Sequence, residues 1–121
     1  MKVVDTSIWI DFWRGRASAE GLADLLRDGQ VLVHPWVLGE IALGNLGAKR
    51  RVILEDLGLL PSAPVVAPQE LLVFLEHHRL SGIGIGLVDV QVLASTKLAG
   101  AELWTADRRL QQAWERLGPH G

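Results

Sequence analysis

Short strand-like segments alternate with helix-like segments along the whole chain, and this alternation constrains the fold more than any other sequence feature. The strand candidates are brief and rich in β-branched residues: KVVD at 2–5, QVLVHP at 30–35, APVVAP at 63–68 and AELWTAD at 101–107. Strands that are separated by helices run parallel, and helices then cover both faces of the sheet. The sequence therefore predicts an α/β protein, a three-layer α/β/α sandwich around a short parallel sheet.

The segments between these strands carry apolar residues at helical spacing. In the first of them these residues are Ile8, Trp9, Phe12 and Trp13, and in the last they are Leu110, Ala113, Trp114 and Leu117. Further helices are predicted over 19–29, 34–45, 49–60, 68–80 and 87–100. No strand candidate follows the last helix, so the sheet is expected to be truncated at one edge.

Length and composition predict a single domain over residues 1–121 with a hydrophobic core. The chain is 49% hydrophobic and has no cysteine, which excludes disulfides, zinc–thiolate sites and cysteine nucleophiles and suits a reducing compartment. No apolar run reaches the roughly 18 residues that a membrane span needs. These features predict a soluble cytoplasmic protein without a membrane partner. The formal charge of −2 does not by itself predict a polyanionic partner.

Two acidic residues follow predicted strands. Asp5 ends the first strand and Asp107 follows the LWT strand, so both are expected at the same edge of a parallel sheet. This is the edge where ligands bind in such folds. Each of the two could instead be an ordinary helix N-cap, a role that aspartate often takes.

Two further acidic residues lie on predicted apolar helix faces. Glu40 is three residues after Val37 and next to Ile41, and Asp89 precedes Val92 by three residues. We expect both carboxylates to point inward, where a charge is costly unless it is paired or binds a metal. Pairing with an arginine is the alternative explanation.

Together, Asp5, Glu40, Asp89 and Asp107 are the candidate catalytic and metal-binding residues. Four carboxylates at one edge repel one another unless a hard divalent cation such as Mg²⁺ or Mn²⁺ joins them. Such ions activate water and promote phosphoryl displacement. The GIGIG segment at 82–86 has the wrong spacing for a phosphate loop and is interpreted as a turn that orients Asp89.

Four motifs in order resemble the PIN-domain proteins of the VapC toxin type: VVDTSIWIDFWRG, HPWVLGEIALG, GIGLVDVQVLAS and LWTADRRL. The resemblance implies a PIN-like fold and selects the same four acidic residues, with Thr6 or Ser7 and Thr105 as supporting hydroxyls. Many relatives carry another acid shortly after the fourth one, whereas RRLQQAW follows Asp107 here. The number of metal ions, one or two, therefore stays open.

The resemblance also implies a function and partners. It predicts the toxin of a type II toxin–antitoxin system, an endoribonuclease that uses Mg²⁺ or Mn²⁺ held by carboxylates to activate water for hydrolysis of RNA phosphodiester bonds. The partners implied are an RNA substrate, a VapB-type antitoxin and a second copy of the chain, with the stripe of Trp9, Phe12 and Trp13 as a contact surface. The alternative is a non-catalytic PIN-like protein-binding module in which the acidic residues only cap helices.

Overall fold

Three short strands and seven α-helices form residues 1–118, the part of the chain that the computed structural model describes. The strands are β1 (Lys2–Val4), β2 (Val31–Leu32) and β3 (Glu102–Trp104). The helices are α1 (Thr6–Trp13), α2 (Leu22–Arg27), α3 (Pro35–Leu43), α4 (Arg50–Gly58), α5 (Pro68–His77), α6 (Leu87–Leu98) and α7 (Arg108–Leu117). The last three residues of the domain predicted over 1–121 lie outside the described part.

The sheet is parallel throughout, in the order β2-β1-β3. In the central strand, the neighbours Val3 and Val4 are both fully buried. Because successive side chains of a strand point to opposite faces, helices must cover both faces of the sheet. The predicted α/β/α sandwich is confirmed.

Helix α6 is the most deeply buried helix of the described chain. Seven consecutive residues, from Val90 to Thr96, are buried, and the helix contacts both β1 and β3. Helix α7 instead buries one face, formed by Leu110, Ala113 and Leu117, as the spacing predicts. These two helices carry Asp89 and Asp107 at their N-terminal ends, so their packing fixes where those carboxylates lie.

The prediction of a strand over APVVAP is wrong. An isolated bridge between Val33 and Ser62 forms just before this segment, and the chain then runs to α5 without a strand. Pro64 has no backbone N–H, so it cannot donate to a continuing ladder. The backbone of Val66 bonds instead to the side chain of Gln91, whose Oε1 accepts from the N–H at 2.6 Å and whose Nε2 donates to the carbonyl at 3.1 Å.

The predicted lack of a strand after the last helix concerns the chain beyond Leu117, and all of it except Gly118 lies outside the described residues. Among residues 1–118, every helix is too short or too polar to cross a lipid bilayer.

Candidate acidic site at the carboxyl ends of the strands

The acidic site lies at the carboxyl end of the central strand. Because β1 lies between β2 and β3, the chain connections diverge there, which is the position where α/β sheets bind ligands. The backbone N–H of Asp5 donates to the carbonyl of Trp104 at 2.9 Å, which extends the pairing of β1 with β3 by one residue. This bond fixes Asp5 at the carboxyl end of β1.

Asp5 is buried and held by two hydroxyl groups. It is 6% exposed, and its Oδ2 accepts from Ser7 Oγ at 2.9 Å and from Thr105 Oγ1 at 2.8 Å. Although Asp5 stands at the N-cap position of α1, its side chain makes no capping hydrogen bond. The helix-cap alternative therefore does not explain this carboxylate.

The same hydroxyls tie the two strand ends together. Ser7 Oγ accepts from the N–H of Ala106 at 2.9 Å, and Thr105 Oγ1 accepts from the N–H of Asp107 at 3.0 Å. Each hydroxyl thus donates to Asp5 and accepts from the segment that leads into α7. Residues about 100 positions apart are joined in one network, and Asp107 is drawn toward Asp5.

Glu40 does not point inward, so that prediction is wrong. Its neighbours Val37 and Ile41 are buried, but Glu40 itself is exposed. It stands one residue, or about 100° of helical turn, from Ile41, so its long side chain can leave the apolar face. Its Oε1 accepts from Thr6 Oγ1 at 2.8 Å, and Thr6 begins the helix that follows Asp5. The two candidate hydroxyls at positions 6 and 7 therefore contact different carboxylates.

Asp107 caps helix α7. Its Oδ1 accepts from the backbone N–H of Leu110 at 3.1 Å, so the capping alternative is correct for this residue. The residue is exposed. Capping uses one of the two carboxylate oxygens, and it orients the group at the same edge as Asp5.

Asp89 lies half-buried in the first turn of α6. Burial is the main cause that raises the pKa of Asp89, and a hydrogen bond from the Gly86 N–H at 3.1 Å partly opposes it. The negative charges of Asp5, Asp107 and Glu40 raise this pKa further. The other three predicted acidic residues therefore lie close enough to Asp89 to act on it electrostatically.

The glycine-rich turn before α6 is held by an arginine that sequence reasoning missed. Gly84 has φ +83°, a conformation that favours glycine, and a Cβ there would lie 2.4 Å from Arg109 Nη1. The guanidinium donates to the Gly84 carbonyl at 3.4 Å. This contact links the start of α7 to the turn that presents Asp89. In the sequence, the glycines at 82, 84 and 86 were the signal that another group approaches this backbone closely.

The donor set of the site fits a hard divalent cation. Within residues 1–118, none of the four acidic residues forms a salt bridge, so arginine pairing does not neutralise them. In that range no three carboxylates or imidazoles converge closely enough to hold a metal ion by themselves. Without a cation, four carboxylates repel one another, so their side chains are expected to be separated. Mg²⁺ commonly binds one or two carboxylates directly and keeps several waters, so it does not need three carboxylates in direct contact.

The chain belongs to the PIN-domain family, whose sequence profile matches residues 2–115. It is similar to "Ribonuclease VapC32" of Mycobacterium tuberculosis, in both strain CDC 1551 / Oshkosh and strain ATCC 25618 / H37Rv. The identity is 42% over 119 residues, covering 98% of this chain and 94% of the relative.

Proposed function

We propose that this protein is the toxin of a type II toxin–antitoxin system and acts in the cytoplasm as an endoribonuclease that depends on Mg²⁺ or Mn²⁺. The observation that carries the proposal is the buried carboxylate of Asp5, which the hydroxyls of Ser7 and Thr105 join to the segment that carries Asp107. Among residues 1–118, none of the four acidic residues forms a salt bridge. The similarity to a VapC ribonuclease over nearly the whole chain supports the choice of RNA as substrate.

The four acidic residues have two kinds of role in this proposal. Asp5 is buried and Asp89 is half-buried, and these two would be the principal metal ligands. Glu40 and Asp107 are exposed and would complete the set through direct or water-mediated contacts. A bound divalent ion supplies an activated water and offsets charge on the phosphate. The hydroxyls of Ser7 and Thr105 would orient Asp5, because both donate to one of its oxygens.

RNA cleavage by the purified protein is expected to need Mg²⁺ or Mn²⁺ and to stop in EDTA. The products should carry 5′-phosphate and 3′-hydroxyl ends, because water attacks phosphorus and the 3′ oxygen leaves. Sequencing of the 5′ ends after brief induction in cells identifies the RNA and the bases at the cut.

The control for a contaminating nuclease is Asp5→Asn purified in the same way. Full activity in EDTA, or 2′,3′-cyclic phosphate ends, would refute the metal mechanism, since cyclic ends arise from attack by the 2′-hydroxyl. A protein that cleaves no RNA under any metal condition would favour the non-catalytic binding module.

The proposed antitoxin contact is an apolar cavity of about 180 Å³ beside α1. Trp9, Phe12 and Trp13 line it together with residues of α2 and α4, and Trp9 and Trp13 stack with ring centroids 5.8 Å apart. Aromatic side chains in a concave apolar surface are typical anchors for a partner segment. An arginine of a VapB-type antitoxin that reached the carboxylates would neutralise them and compete with the metal.

A homodimer is the second proposed assembly, and helix α5 offers an apolar surface for it. Leu72 is 60% exposed and Val73 is 69% exposed. We expect light scattering to give the mass of a dimer at micromolar concentration and Leu72→Lys to shift it toward a monomer. Leu59→Lys is the control, because Leu59 is 83% exposed at the end of α4. A monomeric wild-type protein at high micromolar concentration would contradict this assembly.

A further inference from the structure

A buried polar network joins α3 and α6, the two helices that carry Glu40 and Asp89. It consists of His34 and Gln91, both with no exposed surface, together with the backbone of Val66. Burying polar side chains in a core is costly unless they are hydrogen-bonded, so a satisfied pair in this place needs an explanation. None of the roles proposed above uses it.

His34 is the N-cap of α3, and its bonds define its tautomer. Ring Nδ1 accepts from the backbone N–H of Trp36 at 2.9 Å, so Nδ1 carries no proton. Nε2 then carries the proton and donates to Gln91 Oε1 at 3.3 Å. Burial lowers the pKa of His34, while its hydrogen bonds to Gln91 and to the backbone at Pro64 raise it by less. The net lowering of the pKa agrees with a neutral ring.

Both polar side-chain atoms of Gln91 are hydrogen-bonded in the same network. Its Oε1 accepts from His34 and from the N–H of Val66, and its Nε2 donates to the Val66 carbonyl. Gln91 lies near the start of α6, two residues after Asp89. Its amide therefore ties the start of α6 both to the N-terminus of α3 and to the segment that replaces the fourth strand.

We infer that His34 and Gln91 are positioning residues that set the separation of Glu40 on α3 from Asp89 on α6, and thereby the affinity of the acidic site for a divalent cation. This inference rests on the function proposed above. In residues 1–118, His34–Gln91 is the side-chain hydrogen bond that joins these two helices, which also pack against each other. Glu40 is six residues, or about 9 Å of helical rise, beyond the His34 cap.

The alternative is that the network only stabilises the core. Gln91→Met distinguishes the two, because methionine is similarly long and flexible but cannot bond to His34 or Val66. Thr96→Val is the matched control. Thr96 is also fully buried on α6, but its hydroxyl donates to the Val92 carbonyl of its own helix at 2.6 Å and joins no other element.

The measurement is calorimetric titration of each full-length protein with Mg²⁺ alone, after circular dichroism at the same temperature has established that it is folded. We expect Gln91→Met to weaken Mg²⁺ binding about 10- to 100-fold, as outer partners of metal ligands do, and Thr96→Val to change it less than twofold. Raising the Mg²⁺ concentration in the RNA cleavage assay should bring the rate of Gln91→Met most of the way back to the wild-type rate. A defect that lay only in core stability would not respond to Mg²⁺ in this way while the protein is folded.

His34→Ser provides a second variant in case Gln91→Met fails to fold. Serine can still cap α3 but cannot reach Gln91, so we expect the helix to persist and Mg²⁺ binding to weaken by a similar factor. Long-range ¹H–¹⁵N spectra of the wild-type protein should also report the neutral Nε2–H tautomer of His34. Observation of the Nδ1–H tautomer would overturn the inference.

Two other outcomes separate this inference from the proposed function. Wild-type protein that binds Mg²⁺, with Gln91→Met and His34→Ser binding it equally well, overturns the positioning role and leaves the proposed nuclease intact. Wild-type protein that binds neither Mg²⁺ nor Mn²⁺ overturns both.

Discussion

Asp89→Asn is expected to raise the melting temperature in EDTA and to abolish RNA cleavage. Burial raises the pKa of Asp89 and the charges of Asp5, Asp107 and Glu40 raise it further, so above that pKa a neutral amide removes a cost on the order of 1 kcal/mol after allowance for solvent screening. For a domain of this size that corresponds to a rise of about 4 °C. Asparagine still offers an oxygen to the Gly86 N–H that Asp89 binds. Thermal unfolding followed by circular dichroism measures the shift.

The pH dependence of this gain has a definite sign. Because the folded-state pKa of Asp89 lies above its unfolded value, ionisation opposes folding. The free energy of unfolding therefore falls as pH rises from the ordinary carboxyl pKa to the raised pKa, and the cost is complete above that window. The advantage of Asp89→Asn over wild type should accordingly be full above the raised pKa and disappear as pH falls below the ordinary carboxyl pKa.

Mg²⁺ should reverse the order of the two proteins. At one hundred times its dissociation constant, a ligand stabilises the folded state by about 2.7 kcal/mol, or about 10 °C here. Wild type should show this gain and Asp89→Asn should show little of it. Glu102→Gln is the control for a lost carboxylate charge, because Glu102 is exposed at the opposite end of β3, where it pairs with Lys2 at 3.7 Å. A lower melting temperature for Asp89→Asn in EDTA, with no Mg²⁺ effect on wild type, would refute the metal site.

Asp5→Asn should lower the rate of RNA cleavage about 100- to 1,000-fold, without loss of fold. This carboxylate is the most buried of the four, and loss of a preorganised charged group in a reaction centre typically costs 10²–10³ in rate. The amide keeps the shape and can still accept from Ser7 or Thr105, so the melting temperature in EDTA should change little. Single-turnover cleavage of a defined RNA in saturating Mg²⁺ measures the effect.

Thr105→Val tests how far the hydroxyl network contributes to that loss. Valine has nearly the same shape but removes one of the two donors to Asp5 Oδ2 and the acceptor for the Asp107 N–H. We expect cleavage to fall about 10- to 100-fold, between wild type and Asp5→Asn. Thr96→Val is the matched control, since its hydroxyl lies within α6 and away from Asp5. Equal rates for Thr105→Val and wild type would contradict the positioning of Asp5 by Thr105.

Local sequence was sufficient for the order of the elements and for placing Asp5 and Asp107 at one edge of the sheet. Asp5 directly follows β1, Asp107 comes three residues after β3, and parallel strands place their carboxyl ends at one edge, so this placement follows from chain order. The strand at APVVAP was predicted for the same local reasons and does not form. There, Gln91 of a distant helix competes for the Val66 backbone, and no local pattern reports that.

The sequence by itself determined the α/β alternation and the family, and it selected the four candidate carboxylates, because these inferences depend on residue type, spacing and chain order. Only the tertiary structure decided that Glu40 is exposed and bonded to Thr6, and that Arg109 lies across Gly84. It also decided that His34 meets Gln91 in the core. These are contacts between residues 25 to 57 positions apart. Such contacts depend on how helices and strands pack in three dimensions, which neither hydrophobic periodicity nor capping preference specifies.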